Sequence, residues 1–349
     1  MSKLNVAIIC GGLSSEHEIS CISAGGVLKG LDSSRFNAIL LGITKAGKWV
    51  LLPNDYALEI SAGKLPTVDE NAPAVVADVH GFSVGGKTLE IDVVFPVLHG
   101  PYGEDGTIQG MLEIANLPYV GSGVLASAVA MDKSFAKPIF AAAGIDVADG
   151  IVVTSRDKEI AIDDLAYPVF VKPARGGSSR GTHKVKSVDG LNAALKDAFL
   201  YDHKVMIEQA VNGREIECAV LESNGVVTAS VVGEIIIDSK FEFYDFEAKY
   251  LDGATTVKIP ADIPLEAAQE IREKAVQAFK ALGCSGLARC DFFYTDKGEV
   301  IVNEINTMPG FTGTSMYPKL MAASGFDYQS LISALIETAL TRTNGVLGN

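Results

Sequence analysis

The stretch GLARCDFFYTDKGEVIVNEINTMPG, residues 286–310, has the pattern of a β-hairpin. Two apolar-rich runs, Gly286 to Phe293 and Val300 to Asn306, each have the length of a strand. The segment between them, Thr295-Asp296-Lys297-Gly298, contains residue types that form turns. The sequence therefore predicts two neighbouring antiparallel strands here.

Four polar side chains of this hairpin are expected to converge. Alternate residues of a strand share a face, so Arg289 lies beside Asp291 on one strand and Glu304 beside Asn306 on the other. Mg²⁺ prefers a few carboxylate oxygens together with phosphate oxygens and water. Either strand alone is better explained as the polar outer face of an antiparallel sheet. The continuation into Pro309-Gly310 favours a metal site beside a reacting centre, because backbone N–H groups of such a loop can stabilise a developing oxyanion.

A second segment has the composition of a phosphate-covering loop. Lys172 ends an apolar strand, and residues 173–181, PARGGSSRG, follow it. Glycine lets backbone amides approach phosphate oxygens, and lysine adds positive charge. The spacing matches neither a Walker loop nor a Rossmann fingerprint. Taken alone, such a loop is more often an ordinary flexible turn; with Lys172 before it and the carboxylates downstream, it predicts phosphate binding.

Two further signals are weak on their own. Lys133 follows Asp132, a residue that can cap a helix, and a surface lysine is the ordinary interpretation there. Glu208 and Glu215 lie on either side of Asn212-Gly213. Such a segment could hold an adenine through backbone hydrogen bonds and a ribose through a carboxylate.

The order of strands and helices predicts an α/β fold with three domains. Strands alternate with helices in residues 1–131, which indicates a doubly wound N-terminal domain. Residues 132–213, with a predicted strand from Lys184 to Val188, form a central α+β subdomain. Residues 214–349 form a C-terminal α+β subdomain that carries the predicted metal site.

The bulk composition excludes several classes of protein. Of 349 residues, 48% are hydrophobic and 21% are charged, which is typical of a globular chain. A formal net charge of −14 argues against binding to nucleic acid or anionic membranes, which need clustered Lys and Arg. Five scattered cysteines indicate reduced thiols. With no signal-peptide layout and no apolar run near the ~20 residues of a membrane span, we expect a cytoplasmic protein.

Four strings in the chain resemble the ATP-grasp carboxylate–amine ligases, and most closely the D-alanine–D-alanine ligase family. The strings are GGLSSEHEIS at 11–20, HGPYGEDG at 99–106, FYDFEAKY at 243–250 and NEINTMPG at 303–310. Because they occur in family order, the resemblance covers nearly the whole chain. It implies a three-domain ATP-grasp architecture in which the two α+β subdomains clasp ATP.

The resemblance implies a two-step reaction that makes D-alanyl-D-alanine for peptidoglycan precursor synthesis. The carboxylate of the first D-alanine attacks the γ-phosphate of ATP, giving an acyl phosphate and ADP. The amine of the second D-alanine then attacks the acyl carbon, and phosphate leaves. Two Mg²⁺ ions, which Mn²⁺ can replace, and a homodimer are also implied.

The resemblance assigns roles to individual residues. The implied metal ligands are Asp291, Glu304 and Asn306. The implied ATP-binding residues are Lys133, Lys172, Ser178, Glu208, Glu215 and Lys249. The implied substrate-binding residues are Glu16 and His99 for the first D-alanine and Ser315 and Met316 for the second. The implied catalytic group is Glu16, Ser178, Tyr250, Arg289, Gly310 and Ser315, in which Arg289 and the Gly310 amide stabilise the oxyanion. Ser178, Tyr250 and Glu16 would form a hydrogen-bonded set under a closing lid, which excludes water from the acyl phosphate.

Simpler explanations stay open for three of these residues. Glu16 could be a favourable charge at a helix start, His99 a satisfied core histidine, and Tyr250 a surface aromatic. The chain also departs from related ligases at two positions. Gly176 stands where a glutamate is common, and Arg180 stands where a smaller apolar residue is common.

Two other functions are compatible with the same residues. A ligase that takes D-lactate or D-serine as its second substrate is the nearest alternative, although Tyr250 resembles the dipeptide-forming members. A nucleotide-binding regulatory protein without catalysis is the alternative of another class, and loss of the metal ligands or of Arg289 would favour it.

Overall fold

The apolar run at the start of the chain forms the buried centre of the first sheet. The structure is a computed structural model that describes residues 2–61, 63–157, 160, 166–237 and 255–342. The sheet contains β1 (Leu4–Gly11), β2 (Phe36–Ile43), β3 (Trp49–Leu52) and β7 (Val93–Pro96). Its order is β3-β2-β1-β7; β1 is parallel to both neighbours, and β3 is an antiparallel edge strand. The residues from Val6 to Cys10 are fully buried, as a strand covered on both faces requires.

Further elements complete the N-terminal part. The helices are α1 (His17–Gly30), α2 (Thr107–Ile114) and α3 (Val124–Met131). A small antiparallel sheet contains β4 (Val75–Asp78), β5 (Gly81–Val84) and β6 (Lys87–Thr88). Glu16 is the N-cap of α1 and does not lie in its first turn.

The central sheet is antiparallel throughout. It contains β8 (Gly150–Thr154), β9 (Val169–Pro173), β10 (His183–Val185) and β11 (Lys204–Gln209), in the order β10-β9-β11-β8. Helix α5 (Val188–Ala198) covers it with Leu191 and Leu195. The predicted strand from Lys184 to Val188 is wrong beyond Val185, because Ser187 occupies the N-cap position of α5, without a side-chain cap hydrogen bond, and Val188 is the first residue of that helix.

The third sheet is also antiparallel and contains the predicted hairpin. Its strands are β12 (Gly213–Ser223), β13 (Val226–Ile237), β14 (Thr255–Lys258), β15 (Leu287–Thr295) and β16 (Val300–Asn306), in the order β14-β13-β12-β15-β16. The surrounding helices are α4 (Lys133–Ala142), α6 (Leu265–Ala281), α7 (Met316–Ala323) and α8 (Tyr328–Thr341). Asp132 caps α4 by accepting from the Ser134 amide, as predicted.

The hydrophobic cores cross the predicted domain boundaries. One core joins Phe95 of the first sheet to Phe311 and to Leu331 of α8. Another joins Phe140 of α4 to Phe279 of α6 under the third sheet. The division into residues 1–131, 132–213 and 214–349 stays a prediction.

Two expectations from composition concern the described residues. All five cysteines carry free thiols. Within the described ranges, no helix has both the length and the apolar character needed to cross a lipid bilayer.

Candidate active site

Two cavities meet between the three sheets. The first, of about 640 Å³, lies between the central and third sheets, and the second, of about 520 Å³, lies between the N-terminal loops and the third sheet. The residues that line both are Lys133, Gly176, Ser178, Glu217, Ile235, Arg289 and Glu304. Each predicted site residue within the described ranges lines at least one of these cavities. Lys249 and Tyr250 lie outside the described residues.

The predicted hairpin brings its polar residues together. Asp291 pairs directly opposite Glu304, and Arg289 pairs opposite Asn306. Arg289 Nε and one terminal nitrogen each donate to Asp291 at 2.7 Å. Asn306 Nδ2 donates to Asp291 Oδ2 at 3.1 Å. Strand alternation places these residues on one face as predicted, and a register shift between Asp291 and Phe292 brings Glu304, rather than Asn303, opposite Asp291.

Arg289 is held between two carboxylates. Its second partner is Glu217 of β12, whose Oε2 lies 3.0 Å from Arg289 Nε and which is only 5% exposed. Burial opposes the charge of Arg289, but the attraction of Asp291 and Glu217 outweighs it and raises the pKa of the guanidinium. The sequence analysis missed Glu217, because the register that places it opposite Asp291 is visible only in the sheet.

Lys133 connects β16 to the loop of residues 173–181. Its ammonium lies 2.9 Å from Glu304 Oε2 and donates to the Gly176 carbonyl at 2.9 Å. The side chain is 10% exposed, so the surface-lysine interpretation is wrong. Burial alone would lower the pKa of Lys133, but the nearby Glu304 carboxylate raises it. Gly176 takes part through its carbonyl, which any residue type supplies.

The phosphate loop has an unusual backbone. Ser178 and Ser179 have φ of 51° and 56°, values that residues with a side chain seldom adopt. Arg175 anchors the start of the loop through two side-chain bonds to Asp202, at 3.0 and 2.6 Å. Arg180 is exposed at its far side. The loop thus presents Ser178 to both cavities.

Glu16 reaches the phosphate loop from the other side of the cleft. Ser178 Oγ donates to Glu16 Oε1 at 2.5 Å. A Cβ on Gly100 or Gly177 would lie 2.8 or 3.2 Å from Glu16 Oε2. These glycines leave room for the carboxylate. Glu16 is the N-cap residue of α1, where a negative charge is favourable, but its side chain makes no cap hydrogen bond and accepts from Ser178 instead.

His99 is fully satisfied inside the protein. Its Nδ1 lies 3.0 Å from the Met308 carbonyl, which makes Nδ1 the donor, and its Nε2 lies 3.0 Å from Ser23 Oγ, which donates to it. Burial lowers the pKa of the imidazole, with a smaller opposing contribution from Glu16. His99 therefore lines the second cavity as a neutral residue with both ring nitrogens occupied.

Glu104 is a second residue that the sequence analysis gave no role. It accepts from the Gly100 amide at 2.6 Å and from the Met308 amide at 3.3 Å. Burial, together with repulsion from Glu16, raises the pKa of this carboxyl to about 8. It lies in the quoted HGPYGEDG string, so attention to each acidic residue of that string would have found it.

The loop after β16 carries the remaining predicted residues. Phe311 is fully buried, with its ring 5.6 Å from Phe95. Ser315 caps α7 and accepts from the Thr312 amide at 3.1 Å. Gly310 packs against Ser315, since a Cβ there would lie 3.1 Å from Ser315 Oγ. Met316 is the first residue of α7 and lines the second cavity.

The first cavity has the groups that a nucleotide needs. Lys172 and Lys133 supply cations near the loop, and Glu215 lies farther along the cavity wall. Glu208 lies behind the lysines, with Lys172 Nζ 2.6 Å from Oε2 and Lys137 paired to Oε1. The sequence analysis missed Lys137, although its i+4 spacing from Lys133 places both on one face of α4.

The hairpin cluster fits a magnesium ion. Asp291, Glu304 and Asn306 supply two carboxylates and an amide oxygen, all hard donors of the kind Mg²⁺ prefers. In the part of the chain that the structure describes, no group of three or more His, Cys, Asp or Glu residues has metal-site geometry. The three proposed ligands include two acidic residues, Asp291 and Glu304. Phosphate oxygens and water would supply the rest of the coordination of Mg²⁺.

Comparisons with known proteins identify the family to which the chain is similar. Residues 5–122 match the family described as D-ala D-ala ligase N-terminus, and residues 139–337 match D-ala D-ala ligase C-terminus. The chain is 50% identical to the D-alanine--D-alanine ligase of Mycolicibacterium gilvum (strain PYR-GCK), over 99% of each chain. The solved structure of VanG D-Ala:D-Ser ligase from Enterococcus faecalis is 37% identical, with a TM-score of 0.85 over 97% of this chain and 100% of that chain. The structure of D-alanine--D-Alanine ligase from Bacillus anthracis complexed with ATP is 28% identical, with a TM-score of 0.74 over 97% of each chain.

Proposed function

The chain belongs to the D-alanine–D-alanine ligase family, and from that premise we propose how its cleft joins two D-alanines with ATP. The family's reaction is an ADP-forming ligation that supplies D-alanyl-D-alanine for peptidoglycan synthesis. One observation carries the assignment of residues: the two cavities meet at Lys133, Arg289 and Glu304. The negative charge that develops as the phosphoryl group passes from ATP to the amino acid would lie at that junction.

ATP occupies the first cavity. Its phosphates lie under the Ser178 loop and between Lys133 and Lys172, whose ammonium groups attract them. The adenine lies along the backbone that begins at Glu208, and Glu215 accepts from a ribose hydroxyl. The lysine at 249 adds a further phosphate or adenine contact from the segment outside the described residues.

We propose that Asp291, Glu304 and Asn306 would hold Mg²⁺, as two ions for which Mn²⁺ could substitute, and that the metal would supply positive charge to neutralise the phosphates. Arg289 pairs with both Asp291 and Glu217, so it fixes the orientation of the Asp291 carboxylate and has a second partner of its own.

The first D-alanine lies in the second cavity, against α1. Glu16 accepts from its ammonium group, and the bond from Ser178 orients that carboxylate. His99 positions the neighbouring Met308 loop through its two ring hydrogen bonds. The substrate carboxylate then faces the junction of the cavities, where it attacks the γ-phosphorus of ATP and ADP leaves.

The second D-alanine enters beside α7. Ser315 and the Met316 amide, at the positive end of that helix, bind its carboxylate. Its free amine attacks the carbonyl carbon of the acyl phosphate, and the oxyanion accepts from Arg289 and the Gly310 amide. Collapse of this adduct breaks the bond from carbon to the phosphate oxygen, and phosphate leaves. The attacking amine loses one proton as it becomes the peptide N–H, and the departing phosphate takes up that proton.

Water has to be kept from the acyl phosphate during these steps. Ser178 already bonds to Glu16 across the cleft, and the family resemblance supports Tyr250 as the third member of this water-excluding set. Its position lies outside the described residues.

A cytoplasmic homodimer with no membrane or nucleic-acid partner is part of the same proposal. The composition supports the location and the absence of such partners, and the family resemblance supports the dimer. Light scattering on the purified chain measures its mass directly, and a mass of one chain at micromolar concentration would contradict the dimer.

The reaction is tested by measuring phosphate release and product mass. With ATP and Mg²⁺, we expect D-alanine alone to sustain phosphate release and to yield D-alanyl-D-alanine. Added D-lactate or D-serine, at equal concentration, should not become the main product. Absence of phosphate release with D-alanine alone would overturn the proposed function.

A further inference from the structure

A buried lysine outside the predicted set lies at the back of the ATP cavity. Lys137 follows Lys133 by one turn of α4, and its side chain is only 6% exposed. Its ammonium pairs with Oε1 of Glu208, whose side chain is 4% exposed. A charge removed from water this completely is retained only with a partner.

The same carboxylate holds a second lysine. Lys172 Nζ lies 2.6 Å from Glu208 Oε2 and 3.3 Å from Asn303 Oδ1. The three charges, two positive and one negative, leave a net charge of +1 at the wall where Lys172 faces the cavity. Without Lys137 the charges of Lys172 and Glu208 would cancel.

The electrostatics of the group agree with this arrangement. Burial opposes the charge of Glu208, but Lys172 and Lys137 outweigh it and lower the pKa of the carboxyl to about 2. Burial and repulsion from Lys172 lower the pKa of Lys137 to about 8, despite its attraction to Glu208. With a pKa of about 8, the ammonium of Lys137 still predominates at neutral pH, so Lys137 carries the positive charge that balances Glu208.

We propose that Lys137 is a positioning residue for the nucleotide, which neutralises Glu208 so that the charge of Lys172 acts on the phosphates of ATP. Lys137 itself does not touch ATP in this arrangement. The inference rests on the proposed function, since it names a residue that prepares the proposed ATP site.

The test is a double-mutant cycle on the full-length enzyme. The KM for ATP, the KM for D-alanine and kcat are measured for Lys137→Met in the wild-type background and in a Glu208→Gln background. Lys137→Arg keeps the positive charge at this position and is the rescue variant. Lys137→Gln, which keeps a hydrogen-bond donor without the charge, is measured in parallel so that the result does not depend on the folding of one variant. Lys274→Met is the matched control, because Lys274 is a similarly covered lysine, paired with Asp146 and Glu270 away from both cavities.

We expect Lys137→Met and Lys137→Gln to raise the KM for ATP by about tenfold, with kcat and the KM for D-alanine changed by less than about threefold. Arginine should restore most of the affinity, and Lys274→Met should leave all three constants unchanged. In the Glu208→Gln background, the Lys137 substitutions should change the KM for ATP by less than about twofold, because there is no carboxylate charge left to balance.

Two results would overturn the inference. An unchanged KM for ATP in both Lys137 variants would show that Lys172 does not depend on Lys137. An equal loss in both backgrounds would show that Lys137 acts on ATP without Glu208. Neither result affects the proposed function, which fails only if the wild-type chain does not release phosphate with D-alanine.

Discussion

The Ser178 hydroxyl donates a 2.5 Å hydrogen bond to Glu16, from the central phosphate loop to the first helix of the N-terminal domain. The two residues lie 162 positions apart in the chain. This bond joins the loop that lines both cavities to the wall of the second cavity.

Ser178→Ala should weaken first-substrate binding. The change removes a hydrogen bond to a carboxylate, so Glu16 loses its orientation and the loop loses its contact across the cleft. We expect kcat/KM for the first D-alanine to fall by about tenfold to a hundredfold. Phosphate release at varied D-alanine measures it, with Ser187→Ala as the control, since that exposed serine makes no cap hydrogen bond. Equal kinetics for the two variants would remove Ser178 from the site.

Asp291→Asn should leave the fold intact and reduce turnover by at least about a hundredfold. The amide keeps the shape but loses the charge, and Arg289 stays paired with Glu217. Circular dichroism checks the fold. When activity is titrated with Mg²⁺, the variant should need a higher Mg²⁺ concentration to reach half of its maximal rate. Asp296→Asn, in the exposed turn of the same hairpin, is the control. Normal turnover in Asp291→Asn would show that this carboxylate holds no essential ion.

Glu104→Gln should flatten the pH dependence of stability. The pKa of Glu104 is about 8 in the folded protein, above its usual value of 4.5, so the folded state favours the protonated form. This contribution is complete below pH 4.5 and is lost as the pH rises to 8. Chemical denaturation between pH 5 and 8 should therefore show a smaller decline in the free energy of unfolding for the variant than for the wild type. Parallel curves would mean that Glu104 is ionised throughout.

Phe311→Ala should destabilise the protein by about 3–5 kcal/mol. The ring is fully buried between Phe95, Tyr317 and Tyr328, and an alanine would leave the space of the ring empty. Denaturant unfolding measures the loss. Phe135→Ala is the control, because that ring is 61% exposed and should cost less than about 1 kcal/mol. A similar cost at both positions would contradict the packing described here.

Ser315→Ala should act on the second substrate alone. The hydroxyl lies at the start of α7, and its loss should raise the KM of the second D-alanine by about tenfold, with the KM for ATP unchanged. Initial rates over a wide range of D-alanine concentration separate the two binding events. A change confined to the first binding event would place Ser315 in the other subsite.

The hairpin shows how far the sequence could predict the site. Strand alternation predicted that Asp291, Glu304 and Asn306 converge, because alternation is a local property of the chain. The register shift between Asp291 and Phe292, which places Glu304 opposite Asp291, could not be predicted from alternation or from the turn. The same local reasoning predicted the Asp132 cap. Local reasoning also extended a strand to Val188. Serine is a residue type that favours the N-cap position of a helix, so Ser187 should have counted for more than the apolar side chain of Val188.

The missed residues depend on contacts between distant segments. Glu217 approaches Arg289 through the register of β12 against β15, and Lys137 approaches Glu208 through the packing of a helix against another sheet. Each lies in an element that has other charged residues, such as Glu215 in β12 and Lys133 in α4, so local composition does not single it out.

The loop from Met308 to Phe311 is attached to the N-terminal domain at several points. The Met308 carbonyl accepts from His99 and its amide donates to Glu104, while the Phe311 amide donates to Ser23 at 3.4 Å and its ring packs on Phe95. The partners in this seam are encoded some 200 positions apart. A chimera that takes its first half from one relative and its second half from another would therefore inherit mismatched halves of the seam, even if each half folded well. Recombination between relatives would therefore have to exchange both segments of the seam together. A hybrid would regain its cleft if the loop were grafted together with its N-terminal partners.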